Sequence, residues 1–596
     1  MAAPFANARP GADVSRAWLR ALETAARATR DPRRTLPRAV SEWAEAFGDH
    51  VALISDRETF TFRQLAARVN LYARWALGVG IAKGDAVALM MRNRPDYFAL
   101  WLGLTEVGAI AALISPDLQA PALAHALKVS QSRRLIIDAE RIDLARDAYA
   151  LLDEPIGLWV HEGDPADVRS LSAELLGVSA APLTEAERRD VTLDDRALRV
   201  FTSGTTGLPK AAEVSHRRIV VWSHWFAGLA GLKAGDRHYN CLPMHHSVGG
   251  VVAVGAPLVN GGSVAIAEKF SASRFWDDVE RHGCTSFQYI GELCRYLVAA
   301  PQRAAENGHR LKLALGNGVA PEVWRAMLDR FGPIQVLEFY ASTEGNVWLY
   351  NVEGRIGALG RVPPYLAVRD PLALVRFDPD SQAPLRGPDG FCIRTQDDEA
   401  GEAIGRIGED ASQRFEGYSE AGETEKKILR SVFKPGDAFM RTGDLMKRDA
   451  QGFYFFVDRI GDTFRWKGEN VSTLEVAEAC RRQPGVEEAL VFGVKVGAAE
   501  GRAGMAVIKA SAPLDLAAFA RGLESLPRYA RPLFLRVVGE IAMTETHKPK
   551  RGLYLAEGFD PSRTQDPLFV LDAESGGYVA LDAERYEAIE TGRMRL

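Results

Sequence analysis

The chain has 596 residues, of which 47% are hydrophobic and 25% charged. That composition belongs to a globular protein with room for several domains and a large core. Its 73 basic and 78 acidic residues are interspersed and leave a formal net charge of −5, so no nucleic-acid partner is expected. Cys241, Cys284, Cys294, Cys392 and Cys480 lie far apart with no CxxC pair. This argues against a disulfide framework or a zinc site and fits a reducing cytosol.

The N-terminus lacks the apolar stretch of a signal peptide. Residues 1–40 read as an extension holding a basic helix with Trp18, Leu19 and Leu22 on one side. Such a helix suits a membrane surface or a seat on the protein's own body, and the second is the expectation here. The run Phe98–Ser115 is about as long as a short membrane span, but it carries Glu106 and is rich in Ala and Gly. It reads instead as a buried helix and strand.

From Trp43 onward, short apolar runs alternate with helical patterns. VALIS (51–55), AVALMM (86–91), AIAALIS (109–115) and RLIID (134–138) predict strands, with helices over 60–80 and 94–108. The rhythm resumes after 195 with LRVFTSG, a helix over 216–230, RHYNCLPM, SVAIA, TSFQYI, LKLALG and QVLEFY. This βαβα alternation predicts a mostly parallel sheet with helices on both faces. From about 351, shorter segments such as LALVRFD and GFCIRTQ predict a β-rich subdomain. A hairpin near 452 leads to a fresh set of helices and strands, enough for a separate domain of roughly 130 residues.

One loop stands out. Val200–Lys210 (VFTSGTTGLPK) follows an apolar strand and is expected to precede a helix. Thr202, Ser203, Thr205 and Thr206 offer hydroxyls, Gly204 and Gly207 let backbone N–H groups turn inward, and Lys210 adds a positive charge. Such a loop suits a polyphosphate. The spacing of Gly204 and Gly207, and the Ala after Lys210, exclude a Walker A loop.

The loop resembles the phosphate loop of the acyl-activating, adenylate-forming superfamily, which includes acyl-CoA synthetases, luciferases and peptide-synthetase adenylation domains. Further segments follow in that superfamily's order. The resemblance implies that Gly316, Asn317 and Gly318 approach the adenine of ATP. In Glu338–Asn346 (EFYASTEGN) it implies that Tyr340 stacks on the adenine, with Ala341 and Ser342 beside it. Thr343 would contact phosphate, and Glu344, with Thr205, would hold Mg²⁺. Asp444 in Arg441-Thr-Gly-Asp444 matches the acid that binds the ribose hydroxyls, and Arg459 matches the arginine near the ribose and the hinge. Lys548 matches the mobile lysine that bridges the acyl carboxylate and the α-phosphate, with Lys550 as its rival. Catalysis would rest on Lys548, Glu344, Thr343 and Lys210.

Asp458–Thr473 (DRIGDTFRWKGENVST) resembles the signature of fatty acid transport proteins, also called very-long-chain acyl-CoA synthetases. Glu557–Pro561 and the closing PLFVLDAESGGYVALDAERYEAI fit the same subfamily. Lys467, Gly468 and Glu469 would then meet CoA, and His246, Val248 and Gly249 would line the acyl tunnel, where Gly250 and Gly255 also leave room. Many superfamily members carry a charged residue two positions after the hinge arginine, where this chain has Gly461 and then Asp462. The subfamily's N-terminal membrane span is not seen, so membrane insertion is not expected.

The resemblance implies an α/β chain with a large N-terminal adenylate-forming domain, built of parallel-rich sheets with helices and a β-rich subdomain. A small mobile α+β C-terminal domain would follow. The expected boundaries are 1–40 for the extension, 41–457 for the AMP-binding domain, 458–462 for the hinge and 463–596 for the mobile domain. The implied reaction joins a long- or very-long-chain fatty acid to CoA with ATP and Mg²⁺, through an acyl-AMP. A sterol-derived, aryl or branched acid, or a fatty-acid uptake protein with secondary activation, are the alternative readings. Fatty acid and CoA are the expected partners, in the cytoplasm or peripherally on the inner face of a membrane; the oligomeric state stays open.

Overall fold

The structure is a computed structural model. It describes residues 11–203, 209–369, 371–378, 381–410, 413–466, 469–497, 501–511, 513–543, 549–572 and 575–594. It divides into two compact units, Met1–Asp370 with Ile407–Ile428, and Pro371–Arg406 with Leu429–Leu596.

The first unit holds two sheets. The seven-stranded sheet runs Arg169–Ser170, Gly157–Val160, Ser132–Ile137, Ala86–Met90, Ile110–Leu113, Arg196–Ser203, Pro209–Ser215. Its pairs are parallel except the last. Ala86–Met90 and Ile110–Leu113 are buried at every position, as strands covered on both faces must be. Between them the helix Pro95–Glu106 is buried along its whole length. It lies so close to the helix Phe62–Gly78 that a Cβ on Gly103 would fall 2.5 Å from Tyr72 Cβ. Glu106, its one buried acid near the end, is paired with Arg188 at 2.7 Å. The run 98–115 is thus the expected helix and strand, and no helix among the described residues is long and apolar enough to cross a membrane.

The eight-stranded sheet runs Trp348–Asn351, Gln335–Ala341, Leu313–Asn317, Ser286–Ile290, Arg237–Asn240, Ser263–Ile266, Val51–Ile54, Thr59–Thr61. It is parallel inside and closed by an antiparallel pair at each end. The carboxyl ends of its parallel strands Leu313–Asn317 and Gln335–Ala341 carry the Gly316 and Tyr340 segments, where ligands of such sheets bind.

The helix Gly11–Ala28 sits on the protein's own body, along the helix His216–Ala230. Gly228 makes this possible: a Cβ there would lie 2.5 Å from Ala21 Cα. Arg20 Nε donates to Gly228 O at 2.9 Å and Thr24 Oγ1 to His224 O at 3.1 Å. Trp18 is buried edge-on against Trp225 and Tyr350, with ring centroids 6.0 and 5.8 Å away. Leu22 joins this core, whereas Leu19 is 51% exposed and does not share the packed side expected of it.

In the second unit, Leu372–Val375, Gly401–Arg406, Ala438–Arg448 and Tyr454–Arg459 form an antiparallel sheet. Among the described residues, the segment 390–396 of the expected β-rich region makes single bridges, Arg386 to Cys392 and Val375 to Arg394, with turns on both sides. A second sheet, Val486–Val494, Ala503–Ala510, Phe534–Val538, Leu568–Leu571, Tyr578–Ala580, packs with the helices Thr473–Arg481 and Leu516–Gly522 around a core centred on Phe492 and Phe534. All five cysteines are free and buried, and burial pushes the Cys284 and Cys480 thiols up to about 12.

Candidate active site

Thr202 pairs with Lys210 and Ser203 with Pro209. Gly204, Thr205, Thr206 and Gly207 lie outside the described residues. Contrary to the expectation, the loop does not lead directly into a helix; Pro209–Ser215 returns as an antiparallel strand, and the helix starts at His216. The reason is local: the run 211–215 is buried as a strand, and Ser215 then caps the helix by accepting from Arg218 N. Among the described residues, a strand rather than a helix N-terminus follows the loop, and Lys210 brings it positive charge. Its Nζ is ion-paired with the Glu423 carboxylate.

Glu344 is 9% exposed and sits past the end of the strand Gln335–Ala341. Three neighbours set its segment. Tyr418 donates its hydroxyl to Glu344 Oε1 at 2.9 Å, and its backbone bridges to Ala212. Arg218, in the first turn of the helix His216–Ala230, donates to Thr343 O at 2.5 Å and Gly345 O at 2.9 Å, on either side of Glu344. Ser247 Oγ and Thr343 Oγ1 share a hydrogen bond of 2.9 Å. Asn346 Nδ2 reaches Gln413 O at 3.0 Å. Burial works against the Arg218 charge, and Glu416 and Glu344 offset it. Tyr418 and Arg218 were not singled out in the sequence; their partners lie 74 and 125 residues away.

The Gly316-Asn317-Gly318 turn is packed to backbone contact. A Cβ on Gly316 would lie 2.2 Å from Tyr289 O, and one on Gly291 would lie 1.7 Å from Gly318 O. Gly318 has φ +81°, a conformation that favours glycine. Beneath the turn, Glu338 accepts from the N–H group of Gly318 and from the Tyr289 hydroxyl. Burial nevertheless pushes its carboxyl up to about 8. Asn317 Oδ1 is buried and has no hydrogen-bond partner among the described residues. Tyr340 is half-buried two residues beyond Glu338, Ala341 is exposed, and Ser342 and Thr343 are half-buried.

His246 is half-buried, with its ring centroid 4.4 Å from that of His245. Burial, and then the neighbouring His246, hold the His245 imidazole well below its usual pKa. Val248 opens a π-helical turn, Val248–Val252, a rare geometry that recurs at functional sites. The glycines here do not open space as expected. A Cβ on Gly249 would lie 2.3 Å from Pro243 O, one on Gly250 1.9 Å from Met244 O, and one on Gly255 2.2 Å from Ser223 Oγ. Their missing side chains admit neighbouring atoms rather than a ligand. Asn93 braces this turn: its Nδ2 donates to Leu242 O at 2.8 Å and Ala267 O at 3.1 Å, and its Oδ1 accepts from Met244 N at 2.8 Å.

In the second unit, Asp444 and Arg459 are direct partners across two antiparallel strands, with Arg459 Nε 3.6 Å from Asp444 Oδ1. Asp458 is buried and accepts from Thr473 N at 2.6 Å and Thr473 Oγ1 at 3.0 Å; burial raises its pKa. Gly461 has φ +90° and no atom within 4 Å of a Cβ, while Asp462 is ion-paired with Arg551. Glu469 is exposed opposite Trp466. Lys467, Gly468 and Lys548 lie outside the described residues, and Lys550 is exposed.

Residues 40–374 match the AMP-binding enzyme family. The solved structure of the anthranilate CoA ligase AuaEII with anthranoyl-AMP shares the fold at a TM-score of 0.74 and 20% identity, covering 87% of this chain and 96% of that one. ATP-bound MatB from Rhodopseudomonas palustris does so at 0.72 and 22%, covering 87% and 98%. Fold and family together define an enzyme of the adenylate-forming class. Human long-chain fatty acid transport protein 1 is 39% identical over 575 residues, covering 94% of this chain and 88% of that protein. Rat long-chain fatty acid transport protein 2 is 39% identical over 580 residues, covering 95% and 92%. The chain belongs to the AMP-binding enzyme family, in the branch of the long-chain fatty acid transport proteins.

Proposed function

We propose that the chain is an ATP-dependent fatty acyl-CoA synthetase. A long- or very-long-chain carboxylate attacks the α-phosphate of ATP, giving acyl-AMP and pyrophosphate. The CoA thiol then attacks the acyl carbonyl, forming the thioester and releasing AMP. The observation that carries this reading is Tyr418, whose hydroxyl donates to the buried Glu344 carboxylate and whose backbone bridges to Ala212 on the strand that carries Lys210.

In this reading Thr202, Ser203, Gly204, Thr205, Thr206, Gly207 and Lys210 hold the β- and γ-phosphates, and Thr343 adds a hydroxyl. The Asn317 oxygen is a buried acceptor suited to the exocyclic amine of adenine. Gly316, Gly318, Tyr340, Ala341 and Ser342 complete the adenine seat, and Asp444 and Arg459 take the ribose. Glu344, with Thr205, suits Mg²⁺, which is held by one or two carboxylates together with substrate phosphates. Bound there, Mg²⁺ would neutralise phosphate charge. Lys548 neutralises charge developing at the α-phosphorus, chemistry that is mostly positioning and electrostatics. His246 and Val248 face the acyl chain, with Gly249 shaping the turn, and Lys467, Gly468 and Glu469 meet CoA.

The same proposal takes 1–40 as an extension and 41–457 as the adenylation domain. Residues 463–596 form a mobile domain that turns about 458–462 between the half-reactions, with Gly461 supplying the dihedral freedom. Cytoplasmic or peripheral membrane placement belongs to the proposal too. The names of the relatives support a long fatty acid as substrate. ATP–pyrophosphate exchange tests the first half-reaction. Exchange should require palmitate or a longer acid and disappear in Lys548→Ala while ATP binding remains. Near-normal exchange in that variant would remove Lys548 from its role.

A further inference from the structure

The segment after Glu416 lies as a strap along the strand that carries Lys210. Gly417 O accepts from Glu213 N at 3.0 Å, Tyr418 bridges to Ala212, and Ser419 N donates to Ala211 O at 2.9 Å. Ser419 Oγ ties the strap to Val129 O at 2.8 Å. This descending register brings the next turn of chain, the short helix Ala421–Lys426, to Lys210. There Glu423 Oε2 is ion-paired with Lys210 Nζ, and Glu423 Oε1 with Lys426 Nζ.

The two lysines differ. The Lys210 side chain is 20% exposed and that of Glu423 18%, so their pair is largely shielded; Lys426 is 72% exposed. Lys210 first, and Lys426 with it, holds the Glu423 carboxyl below the usual range, so Glu423 is an anion at neutral pH. The loop's lysine thus meets a carboxylate where a polyphosphate would bring the same charge and the same oxygen acceptors.

We propose that Glu423 is a resident competitor for Lys210, displaced by the polyphosphate of ATP, and that it sets how tightly this chain binds ATP. The inference rests on the reading that Lys210 meets the β- and γ-phosphates. An ammonium has three N–H groups, but a carboxylate touching the same ammonium as a polyphosphate repels it. Glu423 therefore leaves Lys210 when ATP binds, and Lys426, one helical turn away, keeps it paired in solvent. Apparent affinity falls by the fraction of time the binding form is available. A pair closed nine-tenths of the time weakens ATP binding about tenfold, or about 1.4 kcal/mol.

The test is calorimetric titration of the full chain with MgATP and with AMP. Glu423→Gln, which keeps shape and loses charge, should bind ATP about tenfold tighter and AMP unchanged, since AMP lacks the displaced contact. An ATP affinity within twofold of the wild type, a weaker one, or an equal gain for AMP would overturn the proposal. Lys210→Met separates the underlying reading. It should weaken ATP about tenfold or more and abolish the gain from Glu423→Gln in the double variant. Unchanged ATP affinity in Lys210→Met would instead sink the assignment of Lys210 to the polyphosphate, and this inference with it.

Discussion

Replacing Glu338 by glutamine keeps the side chain's shape and removes a charge that the interior resists. In the folded chain burial raises the Glu338 carboxyl from 4.5 to about 8. The native state therefore binds this proton more tightly than the unfolded state does. Its contribution to stability is fully present below pH 4.5 and declines as pH rises towards 8, by at most about 1.4 kcal/mol per pH unit. Between pH 6 and pH 8 the loss is about 2 kcal/mol. Glutamine cannot titrate, and its oxygen still accepts from the Gly318 amide while its nitrogen donates to a rotated Tyr289 hydroxyl. Equilibrium urea unfolding at pH 6, 7 and 8 measures the effect. The wild type should lose about 2 kcal/mol more than Glu338→Gln over this range. Parallel pH dependences for the two proteins would refute the placement of a destabilised buried carboxyl beneath the Gly316-Asn317-Gly318 turn.

Three further substitutions probe the same unit. Arg218→Met removes the fork that holds the carbonyls on either side of Glu344. Hydrogen bonds from a charged donor contribute about 1.5–3 kcal/mol each, so pyrophosphate exchange should fall at least tenfold and need more Mg²⁺, with Arg218→Lys recovering only part; an unchanged Mg²⁺ requirement would dismiss the positioning role. Gly228→Leu forces the first helix off its seat, since even a Cβ would lie 2.5 Å from Ala21 Cα. Overpacking of about 1–3 kcal/mol should appear as early proteolysis between residues 28 and 36 and as a change in Trp18 fluorescence. Asn93→Leu breaks three hydrogen bonds, two of them to the turn before His245. It should raise the KM for the fatty acid several-fold while the KM for ATP holds; equal changes in both would contradict the assignment of that turn to the acyl end.

The apolar runs that became strands, such as Ala86–Met90 and Ile110–Leu113, were readable because a strand buried on both faces must be apolar at every position. The helix over 216–230 was readable as one more helical segment in the alternation with apolar runs. The return strand Pro209–Ser215 was not, since two alanines and a glutamate carry no strand period, and its pairing is decided by the neighbouring Arg196–Ser203. Short motifs around Lys210, Glu344, Asp444 and Arg459 were visible because their residues sit close together in the chain. What orients them was not: Tyr418, Arg218, Glu338 and Glu423 act across gaps of 20 to 213 residues, or on backbone atoms that no motif records. Gly249, Gly250 and Gly255 show the limit of reading size alone. A small residue marks close approach, and only the structure tells whether a ligand or a backbone carbonyl does the approaching.

The most direct measurement of the central claim is acid-dependent AMP release, followed with and without CoA. The panel runs from acetate through palmitate to a very-long-chain acid and a bile-type acid. The account predicts AMP turnover with palmitate or longer acids, dependent on CoA, with the acyl-CoA formed in equal amount. Strong turnover on the bile-type acid alone would contradict the substrate assignment. No AMP with any acid, from folded protein that still binds ATP, would contradict the ligase itself.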